Sequence, residues 1–154
     1  RSQESGGETL LFIRHYDSRT YFVKSLSYGV ENGAIQPGEQ QDFKAWLTAV
    51  GGAKFLTLEP LDCAALAGLN TEKPPYFVSK ADLTDGSLRL RIVNGDKQPA
   101  KAAQNSSELE AVIAKNVDSD DLYAGTGLVF NKLDDKARIE SVLKAFRHEN
   151  RAGQ

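Results

Sequence analysis

The chain has 154 residues, 40% of them hydrophobic and 26% charged, which suits one ordinary soluble globular domain and excludes a disordered one. Its net charge of -2, from 19 basic and 21 acidic residues, gives no overall field toward nucleic acid or an anionic membrane. A single cysteine, Cys63, excludes an intramolecular disulfide framework, and no apolar run reaches the ~18 residues that a membrane-spanning helix requires.

Residues 1–8, RSQESGGE, are polar and rich in Gly and Ser. They read as a flexible leader or linker before a single domain at 9–149, with a short tail at 150–154. With no methionine anywhere, the expectation is the exported part of a larger precursor in a bacterial envelope, the cytoplasm being the alternative. Residues 9–15 and 20–28 are aromatic and β-branched and predict two strands of a hairpin, with Asp17 and Ser18 in the turn.

QPGEQQDFKAWLTAVGG predicts a helix, because Phe43, Trp46, Leu47 and Val50 fall at i, i+3, i+4 and i+7. Pro37 suits its first turn and Gly51-Gly52 its end. KFLTLE predicts a short strand. Residues 61–69 predict a small apolar helix that ends at Asn70 and Pro74-Pro75 and buries Cys63 as a structural thiol.

YFVSKADLTDGSLRLRIVNG predicts a second hairpin turning at Asp85-Gly86. Its last strand sets Leu88, Leu90 and Ile92 on a buried face and Arg89, Arg91 and Val93 on a wet one. NSSELEAVIAKN predicts a helix with Ser107 and Glu110 as a capping box. Asn105 there also fits the N-glycosylation pattern, although a cap role explains it as well. TGLVFN predicts a last strand. Residues 132–149 predict a final helix with Leu133, Ala137, Ile139, Val142, Leu143 and Phe146 on one stripe. The expected fold is α+β: a mostly antiparallel sheet built from hairpins, with two to three amphipathic helices packed on one face.

The stretch TLLFIRH, Thr9 to His15, resembles the start of the histidine phosphatase superfamily, in which an apolar strand ends in Arg-His-Gly. The resemblance implies that Arg14 grips phosphate and that His15 attacks phosphorus. Here Tyr16 stands where the family has its Gly, and the other histidine, His148, falls in the last turn of a predicted helix. A hairpin residue near its turn is the competing account of His15.

Two histidines and one cysteine, widely separated, make no zinc ligand set. Asp118, Asp120 and Asp121 suit a hard cation in type, but the sixth and twelfth positions from Asp118 are Tyr123 and Val129, where an EF-hand loop needs Gly and Glu. The GTG at 125–127 precedes a strand, whereas a dinucleotide fingerprint follows one. No metal and no cofactor are expected. Lys80, Arg89 and Arg91, with Tyr76, could make a single-strand binding face, but the acidic balance makes nucleic acid an unfavoured partner.

The first hairpin carries Tyr16, Tyr21, Phe22 and Tyr28, and amphipathic aromatics are favoured at protein interfaces. The expected function is therefore a non-catalytic domain that binds another protein. An assembly component of a membrane machine, or an inhibitor or immunity partner of a toxin, would fit. A phosphohydrolase using Arg14 and His15 is the second expectation, and a single-stranded nucleic-acid binder the third.

Overall fold

A computed structural model describes residues 7–61 and 76–153. Seven strands follow one another in chain order: β1 (Glu8–His15), β2 (Thr20–Glu31), β3 (Ala34–Val50), β4 (Ala53–Pro60), β5 (Phe77–Thr84), β6 (Ser87–Ile92) and β7 (Leu128–Asn131). Each pairs antiparallel with the next, so the sheet order equals the chain order. Among the described residues there are two α-helices, α1 (Ser106–Asn116) and α2 (Lys136–Ala152). The result is α+β with the sheet in the majority.

Local chemistry accounts for the turns. After β1 the Asp17 carboxylate accepts from the backbone N–H of Arg19 and of Thr20, both at 2.9 Å. Between β2 and β3 the turn is Asn32-Gly33, with φ of 51° and 77°. Between β3 and β4 it is Gly51-Gly52, with φ of 58° and 79°. Two successive positive φ values define the two-residue turn whose twist matches that of the flanking strands.

The helix expected from Pro37 to Gly52 is instead most of β3, a 17-residue strand that pairs with β2 over Ala34–Trp46 and with β4 over Phe43–Val50. The apolar residues fit either period. Read at a spacing of two, Phe43, Ala45 and Leu47 face one side of the sheet and Lys44, Trp46 and Thr48 the other. Two flanking strands decide between the readings, because tertiary pairing outweighs a weak local propensity. Pro37 sits opposite Tyr28, beside a bulge at which β3 places Gly38 and Glu39 against the single residue Ser27. A side chain at position 38 would put its Cβ 2.8 Å from the Ser27 carbonyl oxygen, so glycine is required there.

The cap of α1 differs from the expected Ser107–Glu110 box. Asn105 is the cap and accepts from Glu108 N–H at 2.9 Å, while Glu108 accepts from Gln104 N–H at 2.7 Å. The box lies two residues earlier, with asparagine in the capping role. The final helix begins at Lys136 behind an Asp135 cap that accepts from Arg138 N–H. The expected helix at 61–69, Cys63 and the leader before Gly7 lie outside the described residues.

Three apolar clusters hold these elements together. Val142, Leu143 and Phe146 of α2 pack on Leu10, Phe12, Leu26 and Tyr28. Leu109, Val112 and Ile113 of α1 pack with Val50, Phe55, Val78 and Val93. The third cluster involves no helix: Val23, Ala45, Leu56 and Leu90 meet Leu11, Phe43, Leu58, Leu88 and Phe130. By strand alternation these residues occupy the sheet face opposite the one under the helices.

Candidate functional site

The helix-free face curls into a trough. At the usual spacing, seven flat strands would hold β1 and β7 roughly 29 Å apart. Here Leu11 and Ile13 of β1 and Leu128 and Phe130 of β7 line one cavity of about 530 Å³. The two edge strands do not pair with each other, so the sheet is an open half-barrel. Such a volume falls within the range of small-molecule sites.

The pairing register orders the trough lining into rungs. At one end Thr9 lies opposite Ser27, with their hydroxyls 3.3 Å apart. The next rung is Leu11, Ser25 and Gln41, followed by Ile13, Val23 and Phe43. Beyond these come Leu58 with Phe77, then Leu56, Ser79 and Ile92, and finally Leu90 with Leu128. The hydroxyls and amide thus gather at one mouth, and the remaining lining is hydrocarbon apart from Ser79, which is 1% exposed. None of the described residues lining the trough is charged. The rims are open: Ile13, Phe77 and Leu128 are 46%, 40% and 57% exposed.

No family model, no curated protein and no solved structure matches this chain.

Arg14 and His15 are adjacent residues of one strand, so their side chains leave on opposite faces. The Arg14 guanidinium sits 5.5 Å from the centre of the Phe22 ring, and the His15 ring sits 4.6 Å from that of Tyr21. A phosphate held by one is out of line for the other. Tyr16, Tyr21, Phe22 and Tyr28 also divide. Tyr16 is 76% exposed at the turn, Tyr21 and Phe22 face opposite sides, and Tyr28 is buried. They do not form one surface.

Tyr28 is instead part of a three-residue network. Its hydroxyl donates to Glu8 at 2.6 Å, and Arg138 of α2 donates to the same carboxylate. The hydrogen bond from Tyr28, followed by that from Arg138, holds the Glu8 carboxyl below its usual range. Burial, followed by the bond to Glu8, pushes the Tyr28 phenol up. The network pins the free end of β1 to α2.

The cations considered for nucleic acid have partners within the chain. Arg89 donates to the Thr126 carbonyl, and Arg91 pairs with Asp120 at 2.8 Å while lying 4.2 Å over the Tyr123 ring. Lys80 stands 3.9 Å from Asp118, and Tyr76 meets Trp46 edge-on. Asp118 and Asp120 are therefore arranged toward cationic side chains.

The trough was missed because its residues come from all seven strands. Its local signals were nonetheless present: Leu11 with Ile13, Phe43 with Ala45, Leu56 with Leu58, and Leu88 with Leu90 and Ile92 each alternate at period two.

Proposed function

We propose that this chain is a non-catalytic binding domain that holds the apolar body of an uncharged amphipathic molecule in the half-barrel trough. One observation carries the reading: a continuous hydrocarbon lining on the face opposite the two described helices, with a mouth of hydroxyl and amide groups and no charge among the described lining residues. Exposed apolar surface of this kind marks a binding site more often than not. A charged headgroup would gain no partner from Thr9, Ser25, Ser27 or Gln41 that water does not already supply. A hydroxyl or ester headgroup would keep its hydrogen bonds there.

A partner protein is the second reading. It is supported by β1, whose outer edge pairs with no strand among the described residues, and by the exposed Tyr16 beside it. A strand from another chain could add at that edge. Either reading suits an exported component of a bacterial envelope, acting in the assembly of a membrane machine or as an inhibitor of a toxin.

The test is displacement of the uncharged fluorophore N-phenyl-1-naphthylamine. Octanol should displace it at lower concentration than octanoate or octyltrimethylammonium. Leu128→Asp and Phe77→Asp, each at an exposed rim position, should abolish fluorophore binding with the fold intact. Fluorophore that binds these variants as it binds the parent would rule the trough out.

A further inference from the structure

A second concavity lies on the other face of the sheet, lined by side chains of β1, β2, β3 and α2. Its volume is about 420 Å³. Phe12, Phe22, Leu26 and Phe146 give it an apolar floor, and Arg14, Lys24 and Arg147 bring three cations to it. We infer that this groove is a separate site for a small organic acid, an apolar body carrying one carboxylate.

Charge carries the argument. Lys24 has a carboxylate neighbour, Asp42, at 3.6 Å. Among the described residues, neither Arg14 nor Arg147 has a carboxylate within ion-pair reach. Two guanidinium groups with no carboxylate partner among the described residues, on different elements of a chain whose net charge is -2, concentrate positive potential where the average offers none. A guanidinium presents paired donors that match the two oxygens of a carboxylate. The phenylalanine floor would take the hydrocarbon of the acid. The modest volume suits a short chain or a single ring. Neither the trough lining nor the unpaired strand edge requires this site, so it stands apart from the reading above.

Calorimetric titration of the full chain with sodium octanoate tests it. Octanoate should bind at least tenfold more tightly than octyltrimethylammonium, and acetate at least a hundredfold more weakly than octanoate, because each methylene buried adds about fourfold. Arg14→Gln and Arg147→Gln should each weaken octanoate about tenfold or more. Leu128→Asp, which alters only the trough, should leave octanoate binding unchanged. Octanoate binding that is absent, that is indifferent to both arginine substitutions, or that is lost in Leu128→Asp would overturn the assignment. The last of these would leave the trough as the site.

Discussion

At the scale of single residues, two positions decide how the edge of the sheet is held. Gly38 has no tolerable substitute, because the atom a Cβ would meet is backbone, the Ser27 carbonyl oxygen at 2.8 Å. Gly38→Ala should cost about 1–3 kcal/mol, read as a lower urea midpoint at unchanged slope. Glu8 accepts from both Tyr28 and Arg138, and its folded-state pKa lies below the unfolded one. Its contribution is therefore present above the ordinary glutamate range and is lost as pH falls through the folded value. Half of the Glu8 side chain is exposed, so solvent screening keeps the effect small. Between about pH 7 and pH 3 the melting temperature of the parent should fall further than that of Glu8→Gln. Neither role was legible in the sequence, because Ser27 lies 11 residues from Gly38 and Arg138 lies 130 from Glu8. The separation of Arg14 from His15 was legible, since strand alternation alone sends neighbours to opposite faces.

At the scale of elements, β3 is the instructive case. Its apolar spacing supports a helix and a strand alike, and the deciding signals lie at its ends. Asn32-Gly33 is a strong hairpin turn, and Gly51-Gly52 serves as a second. Read as turns, they bound a strand; read as punctuation, they left room for a helix. The two remaining turns and the two described helices were clearer, because Asp17, Asp85-Gly86, Asn105 and Asp135 act through contacts within a few residues. Hydrogen exchange distinguishes the elements further. β2 and β3 are paired on both sides, whereas β1 and β7 are edges. Amides of Phe43 to Leu47 should exchange among the slowest in the chain, and those of Leu128 to Asn131 much faster. Fast exchange across Phe43 to Leu47 would contradict a strand that is central to the sheet.

At the scale of the whole molecule, function rests on curvature. The same seven strands laid flat would expose an apolar plane; curled, they enclose a cavity open along the seam between β1 and β7. Alternation foretold one apolar face for the strand that carries Leu88, Leu90 and Ile92. It could not foretell the curl, which depends on twist summed over the sheet and on the bulge at Gly38. Both helices pack against the outer face, through Phe55 and Val78 at one end and Leu10, Phe12 and Leu26 at the other. Neither of the two described helices covers the inner face, and on the proposed reading its lining, uncharged among the described residues, selects among guests by headgroup. The most direct measurement is competition for the fluorophore N-phenyl-1-naphthylamine by octanol, octanoate and octyltrimethylammonium, in the parent and in Leu128→Asp. The trough account predicts that octanol competes best and that Leu128→Asp does not bind the fluorophore. Equal competition by all three molecules, or undiminished binding in Leu128→Asp, would contradict it.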